Sequence, residues 1–256
     1  FIREIMGEKI VYKKGDFHIH STASDGNLCP LEIIKLAKKK GLDIISITDH
    51  NTMGSVYEAM KIGKKLGVCV IPGVEISSMY NGEHIHILCY FRDDIVNNRL
   101  FYEILNLIKK KEIKDIRKFL NSNIDRKKDK FLTPMEVITL ISRFDGICVL
   151  AHPVRIKRKI FDIIKDFDFK GIEAKYIENK KSDEEFFLKF AKEKGIIYTA
   201  GSDFHTFRKK YNSLGEITLN SDEIKSFLNV LYAWNKNIEI LQGSESIEGV
   251  LIGGCI

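Results

Sequence analysis

Short apolar runs that end in histidine or an acidic residue recur along the chain. They include "GDFHIH", "LDIISITDH", "GICVLAH" and "IIYTAGSDFH", whose length and composition predict β-strands. Longer amphipathic runs lie between them, and one has Pro30 near its start and Gly41 just after its end, as helices do. Strands that alternate with helices predict an α/β fold with a mainly parallel sheet, and enough units recur to close a barrel.

The polar residues at the strand ends carry most of the chemical information. All seven histidines lie in or beside these strings, and none lies within a clear helix. In parallel α/β folds the carboxyl ends of the strands meet at one face, which predicts one shared site. Its candidate residues are His18, His20, Asp25, Asp49, His50, Glu75, His84, His86, His152, Asp203 and His205.

Two pairs among these residues favour a metal site. A single strand histidine is more often a hydrogen-bonded core or turn residue than a ligand. His18–His20 and Asp203–His205, however, have the i, i+2 spacing that puts both side chains on one side of a strand. Imidazole and carboxylate ligands together suit Mn, Fe, Zn or Ni ions. Nine plausible ligands exceed one tetrahedral site, so we expect two or three ions that share a bridging carboxylate, as in phosphate-ester hydrolysis.

Composition is that of an ordinary globular protein. The 256 residues are 44% hydrophobic and 30% charged, which fits a single domain over residues 1–256. No apolar run approaches the roughly 18 residues of a transmembrane helix, and the start of the chain lacks the apolar core of a secretory signal. The five cysteines form no C-x-x-C pair, which predicts reduced thiols in the cytoplasm. We expect no membrane association and no obligatory protein partner, and the net charge of +6 adds a modest bias toward anionic ligands.

One interval breaks the alternation of strands and helices. Residues 92–144 contain no convincing strand, while Leu100, Ile104, Leu107 and Ile108 have helical spacing. A Thr-Pro pair at 133–134 then predicts the start of another helix. We therefore expect a helical insertion beside the barrel, with a basic loop at 126–130. The segment 241–256 is not expected to form a regular helix, because adjacent glycines interrupt it.

Six strings in chain order resemble the motifs of the PHP (polymerase and histidinol phosphatase) family. They are "DFHIHSTASDG", "ITDHN", "PGVEIS", "IHILCYF", "AHPVR" and "GSDFH", and they span residues 16–205. The resemblance implies a distorted, TIM-like (β/α)7 barrel that carries the helical insertion. It also implies a site of two or three metal ions at the carboxyl ends of the strands.

The resemblance assigns each ligand to an ion, with Glu75 as the bridge between the first two. The ligands implied for the three ions are, in order, His18, His20, Glu75 and Asp203; Glu75, His86 and His152; and Asp25, His50 and His205. Some family members carry histidine at the position of Asp25, and aspartate there changes the local charge. The ligand set suits divalent Mn, Fe or Zn, and it also accepts Mg.

Three further residues have two interpretations each. His84 shares a strand face with His86 if the strand is regular, and it is either a neighbour of the ligands or a substrate contact. Asp49 either makes a loop or capping hydrogen bond or orients an imidazole as part of the catalytic machinery. Arg155 forms either a surface salt bridge or a bidentate clamp on phosphate.

The leading functional hypothesis is a metal-dependent phosphatase or phosphodiesterase in which a metal-bridging hydroxide attacks phosphorus. Asp25 or His205 is the candidate to protonate the leaving oxygen. "HSTASDG" and "AHPVR" resemble the subgroup that acts on nucleoside 3′,5′-bisphosphates or short 5′-phosphorylated oligonucleotides. Two alternatives stay open: a histidinol-phosphate phosphatase of the same family, and a non-catalytic or proofreading-associated PHP module.

Overall fold

The computed structural model describes residues 4–5, 8–9, 11–122, 130–206 and 214–233. The strands are β1 (Glu4–Ile5), β2 (Glu8–Lys9), β3 (Gly15–Ile19), β4 (Ile44–Ile47), β5 (Cys69–Val70), β6 (Gly73–Tyr80), β7 (Glu83–Tyr90), β8 (Ile147–Leu150), β9 (Gly171–Tyr176) and β10 (Ile197–Gly201). The helices are α1 (Pro30–Lys39), α2 (Val56–Leu66), α3 (Arg99–Lys110), α4 (Lys114–Phe119), α5 (Pro134–Ser142), α6 (Arg158–Ile164), α7 (Lys181–Lys194) and α8 (Ser221–Ala233). The basic loop predicted at 126–130, apart from Lys130, and the segment 241–256 lie outside the described residues.

Two main sheets form the centre of the α/β fold. Strands β3, β4 and β5 are parallel neighbours, and the second sheet has the order β10-β9-β8-β7-β6. The neighbours β8, β9 and β10 are parallel, whereas β7 runs antiparallel to both β6 and β8. Isolated bridges join the sheets between Ile19 and Phe204 and between His50 and Glu75. The expected mainly parallel arrangement is therefore present, with one strand reversed.

A two-residue turn explains the reversed strand. Asn81 and Gly82 connect β6 to β7, and both have positive φ, at 49° and 78°. Such turns match the twist of paired strands, and Asn-Gly is their most favoured sequence. Because β7 is reversed, its first residues lie at the edge where the parallel strands end. The hairpin thereby brings His86 to the same edge as the candidate ligands from the parallel strands.

Aromatic side chains fill the interior between the sheets. Phe17, Tyr90 and Phe227 are fully buried and contact one another, and the Tyr90 hydroxyl donates a 2.8 Å hydrogen bond to the carbonyl of Phe17. On β3, Phe17 and Ile19 alternate with His18 and His20. The odd-numbered positions join apolar clusters, which leaves the two histidines free to face the polar edge.

The regular elements described between β7 and β8 are helical. Helix α5 begins with the predicted Thr-Pro pair, where Thr133 and Glu136 exchange reciprocal capping hydrogen bonds of 3.2 and 2.8 Å. Phe101 of α3 and Leu140 of α5 pack in the apolar cluster that also contains Ile87 of β7. None of the described helices is both long and apolar enough to cross a membrane.

Candidate metal centre

The end of β3 supplies two buried imidazoles to one point. His18 and His20 are fully buried, and their Nε2 atoms lie 3.1 Å apart. Asp203, which follows β10, places Oδ1 3.3 Å from Nε2 of His18 and 3.1 Å from Nε2 of His20. The parallel bridge between Ile19 and Phe204 holds these two strand ends side by side. The i, i+2 pattern of the sequence therefore corresponds to two convergent ring nitrogens.

Glu75 occupies the middle of the cluster. Its Oε2 atom lies 3.3 Å from Nε2 of His18, 3.2 Å from Nε2 of His20 and 3.1 Å from Nδ1 of His50. The side chain is 1% exposed, and a parallel bridge between His50 and Glu75 fixes the backbone of β6 at this point. Oε2 thus faces ligands from the three-stranded sheet.

The second oxygen of Glu75 faces the other sheet. Oε1 lies 3.0 Å from Nδ1 of His86 on β7 and 3.1 Å from Nε2 of His152, which follows β8. One carboxylate therefore contacts imidazoles on both sides. This is the geometry that a bridging carboxylate between two ions requires.

Asp25 and His205 form the exposed side of the cluster. Asp25 Oδ2 lies 3.3 Å from Nε2 of His205 and 3.8 Å from Nε2 of His50, and Oδ1 lies 3.6 Å from Nδ1 of His20. Asp25 is 55% exposed, in contrast to the buried ligands around Glu75. This side of the cluster is open to solvent.

Three overlapping groups have ligand atoms within 4.8 Å of one another. They are His20, Asp25, His50 and His205; His18, His20 and Glu75; and His50, Glu75 and His86. His20 and His50 each belong to two groups, whereas the family pattern assigns each of them to one ion. All nine predicted ligands are nevertheless brought together, since His152 contacts Glu75 and Asp203 contacts His18 and His20.

Several buried atoms of the cluster lack a hydrogen-bond partner in the described structure. They are Nδ1 of His20, His50 and His152 and Oε2 of Glu75. Buried polar atoms in proteins are nearly always paired, so unpaired ones call for another partner. Oε2 of Glu75 lies near three imidazole nitrogens without hydrogen-bond geometry, as atoms do when they share a positive ion. The donor set of nitrogen and carboxylate oxygen therefore fits divalent metal ions.

The protonation states of the cluster follow from burial and neighbouring charge. Burial lowers the pKa of His20, but the neighbouring carboxylates of Asp203 and Glu75 outweigh it and raise that pKa to about 9. At His50 burial prevails and lowers the pKa to about 4, so this ring is neutral at pH 7. Burial opposes the ionisation of Asp203, yet His18 and His20 hold its pKa well below the ordinary range. Ions would displace the protons on such rings, because ligands must be deprotonated to bind.

Glu173 is a further candidate site residue, which the strand-end pattern did not identify. It is fully buried on β9, and Oε1 lies 2.9 Å from Nδ1 of His18, while Oε2 accepts a 2.7 Å hydrogen bond from the backbone N–H of His152. Such a contact fixes the orientation and tautomer of a ligand histidine. The sequence signal is an acidic residue inside the apolar run "GIEAKY".

Local backbone features support these positions. A Cβ atom on Gly201 would lie 2.2 Å from Oε1 of Glu173 and 2.3 Å from Cβ of His18, so only glycine permits this approach. His152 and Asp203 have positive φ, at 27° and 49°. Non-glycine residues in this conformation are strained and cluster at functional sites.

Most of the chain that carries this cluster matches one protein family. Residues 16–182 match the family model described as the PHP domain. The chain belongs to the PHP domain family. The matched span holds the motifs from His18 to His152, and Asp203 and His205 follow it.

Curated relatives of this PHP domain include two enzymes. A 5′-3′ exoribonuclease of Haemophilus influenzae is 43% identical over 76 residues, which are 30% of this chain and 28% of the relative. A 3′,5′-nucleoside bisphosphate phosphatase of Chromobacterium violaceum is 34% identical over 73 residues, 28% of this chain and 26% of the relative. The chain thus spans less than a third of the length of either relative.

A solved structure shares the fold of this PHP domain. It is an amidohydrolase from Chromobacterium violaceum with bound sulfate, and it is 23% identical with a TM-score of 0.67. The similarity covers 86% of this chain and 96% of that one. The α/β architecture of the described residues is therefore one that solved proteins adopt.

Asp49 serves the loop of the PHP domain that carries Asp25. Its buried carboxylate accepts hydrogen bonds of 2.7 and 2.6 Å from the backbone and hydroxyl of Ser21, 2.6 Å from the hydroxyl of Ser24 and 2.5 Å from that of Ser55. Both oxygens are engaged by these donors. The contacts favour the loop role of Asp49 over the catalytic one.

Arg155 lies at the rim of the cluster in a network of its own. Its Nε and Nη2 donate to Glu178 at 2.9 and 2.7 Å, and Nη1 lies 3.3 Å from Oδ2 of Asp203. The Tyr176 hydroxyl donates to the same Oδ2 at 2.8 Å. Arg155 is 44% exposed, so the guanidinium sits beside the ligands and in reach of solvent.

His84 is exposed and belongs to none of the three ligand groups among the described residues. Its ring packs edge-on against Phe131, with ring centroids 4.9 Å apart. The structure therefore separates His84 from the nine predicted ligands.

Proposed function

We propose that this PHP domain is a metal-dependent phosphoesterase acting on phosphate esters of nucleotides. The expected substrates are nucleoside 3′,5′-bisphosphates or short 5′-phosphorylated oligonucleotides. The observation that carries the proposal is the buried Glu75 carboxylate with imidazoles at both oxygens and an unpaired Oε2. The names of the curated relatives, an exoribonuclease and a bisphosphate phosphatase, support the choice of substrate class.

The proposed ligands are the nine residues of the cluster. Two or three divalent ions, of Mn, Fe, Zn or Mg, would be held by His18, His20, Asp25, His50, Glu75, His86, His152, Asp203 and His205. When bound, such ions activate water and neutralise phosphate oxygens. Glu75 would bridge, and Glu173 would hold the His18 ring in the tautomer that leaves Nε2 free to bind.

The exposed side of the cluster supplies the remaining roles. Asp25 and His205 lie 3.3 Å apart at the solvent side, and whichever of them is not bound to an ion there would hold the proton that a leaving oxygen needs. Arg155 adds a guanidinium beside Asp203. In this structure the Nε and Nη2 atoms of Arg155 both donate to the Glu178 carboxylate. A phosphate that displaced Glu178 would gain the same bidentate contact.

The fold and the cellular location of the protein are also part of the proposal. We infer one domain built as a distorted (β/α)7 barrel, with residues 92–144 as a helical insertion, because isolated bridges join the two sheets at two points. The free thiols Cys29, Cys69, Cys89 and Cys148 support a reducing compartment, the cytoplasm.

A substrate and metal screen tests the function. The purified protein would be assayed with adenosine 3′,5′-bisphosphate, histidinol phosphate and a 5′-phosphorylated oligoribonucleotide, with metal content measured on the same sample. We expect bound divalent metal and turnover of one of the nucleotide substrates. Preferred turnover of histidinol phosphate would establish the alternative enzyme. Bound metal without turnover of any ester would favour the non-catalytic module.

A further inference from the structure

We propose that His84, Phe131 and Lys111 form a stacking platform that receives the nucleobase of the substrate. The inference rests on the proposed function and names the part of the ligand that these residues contact. None of the three belongs to the ligand groups of the cluster. His84 lies two residues before His86 on β7, Phe131 contacts His84, and Lys111 lies over the Phe131 ring.

The strand register fixes which way His84 faces. In the β6–β7 hairpin, Ser77 is opposite His86 and Met79 is opposite His84, with no irregularity between them. Directly opposite residues share a face, and residues two apart on a strand share it as well. His84 therefore faces the same side as His86, about 7 Å further along the strand. That separation suits a nucleotide whose phosphate lies at the cluster.

The helical region supplies the other two residues. The backbone N–H of Met79 donates to the carbonyl of Leu132 at 2.9 Å, which fixes the segment before α5 against the free edge of β6. Phe131 is thereby held over the hairpin, where it meets His84 edge-on with an interplanar angle of 90°. The Lys111 ammonium lies 4.8 Å from the centre of the Phe131 ring.

The chemistry of this group suits a base better than a phosphate. His84 is exposed and Phe131 half-buried, so aromatic surface stays accessible next to a cation. Base–aromatic stacking is tolerant of sequence, because every base has a π face, and a nearby cation adds to it. A phosphate would contact the Lys111 ammonium and a ring N–H of His84, and would leave the aromatic faces unused. The platform therefore favours a nucleotide over a phosphate ester that lacks a base.

The test compares ligands with and without a base. The wild-type protein, His84→Ala and Phe131→Leu would be assayed for KM on adenosine 3′,5′-bisphosphate and on ribose 5-phosphate. Direct binding of adenosine 5′-monophosphate and ribose 5-phosphate would be measured by calorimetry on the same samples. Loss of one stacking contact predicts about a tenfold fall in the preference for the ligand that carries the base.

A matched control is available in the same region. Phe119 also lies under a cation, with Arg143 4.7 Å from its ring centre, and it contacts none of the cluster residues in the interactions described. Phe119→Leu should keep the preference of the wild type. Equal loss in Phe119→Leu and Phe131→Leu, or an unchanged preference in His84→Ala, would overturn the platform.

The binding arm separates the two proposals. If the wild type hydrolyses no ester but binds the nucleotide more tightly than ribose 5-phosphate, and His84→Ala removes that difference, the platform stands and the phosphoesterase proposal fails. If the wild type hydrolyses both esters with equal KM and binds both ligands equally, the phosphoesterase proposal stands and the platform fails.

Discussion

Two buried glutamates of this protein have opposite surroundings. Glu136, at the start of α5, is 5% exposed; it accepts hydrogen bonds from Nε and Nη2 of Arg117 at 2.9 and 3.3 Å and from Ser122 Oγ at 2.7 Å. Glu75 is 1% exposed, has imidazoles at both oxygens, and leaves Oε2 without a hydrogen-bond partner. Both carboxylates are therefore buried, but both oxygens of Glu136 accept hydrogen bonds, whereas Oε2 of Glu75 accepts none.

The difference lies in the cations that hold each carboxylate ionised. Burial opposes the ionisation of both, yet the pKa of each is lowered, by Arg117 at Glu136 and by His18 and His86 at Glu75. A guanidinium keeps its charge at every accessible pH, so Arg117 stays paired with Glu136 and leaves no place for a metal ion. Imidazoles can exchange a proton for a metal ion, so the rings around Glu75 can accept such an ion. The type of cation distinguishes a structural buried carboxylate from a candidate metal ligand.

The largest effect expected from this comparison is at Glu75. Glu75→Gln keeps the shape of the side chain and removes the bridging charge, so metal content and phosphoesterase turnover should both fall to background. Elemental analysis and the assay on adenosine 3′,5′-bisphosphate measure these two quantities. Glu136→Gln is the matched control and should keep its metal. A Glu75→Gln protein that retains full metal content would show that Glu75 is not a ligand.

A large effect of another kind is expected at Arg117. Arg117→Met leaves the Glu136 charge buried without its partner, and breaking a buried pair in this way costs about 3–5 kcal/mol. Urea unfolding should show this loss in the free energy of unfolding. Metal content of the folded protein should stay at the level of the wild type. Loss of metal together with stability would mean that the two regions are coupled, and the comparison would fail.

A smaller effect at Glu173 refines the comparison. This carboxylate is satisfied by protein donors, as Glu136 is, but one of them is the ring of His18. Glu173→Gln should lower metal affinity about 10- to 100-fold, the range for partners that orient a ligand. Competition with a chelator measures the affinity. Glu223→Gln, whose carboxylate accepts from Lys175 and Tyr198, is the control, and an equal loss there would remove the orienting role of Glu173.

Much of the candidate site could be predicted from sequence because its ligands follow a local rule. A histidine or acid after an apolar run falls at a strand end whatever the rest of the chain does, which is why His18, His50 and His152 were identifiable. Glu173 escaped that rule because it lies inside a strand, where an acid is identifiable only through its distant partner, His18. His20 and His50 each belong to two groups of candidate ligands, and this too depends on how the strand ends are spaced in three dimensions.

The fold shows the same division between local and distant information. The alternation of strands and helices predicted the α/β class, and the Thr-Pro pair predicted the start of α5. The reversal of β7 was also encoded locally, in Asn81-Gly82, but the expectation of parallel strands took no account of it. The pair of Arg117 and Glu136 joins residues whose approach depends on how α4 and α5 pack, which periodicity does not specify.

The positive φ angles of His152 and Asp203 have a consequence for evolution and engineering. Each non-glycine residue in this conformation costs of order 1–3 kcal/mol, and glycine would remove that cost. Glycine at either position would also remove a side chain that contacts the centre of the cluster. A search for stabilising substitutions would therefore be drawn first to two of the proposed metal ligands. Thermal stability and the proposed metal binding therefore compete in this chain at two identifiable residues.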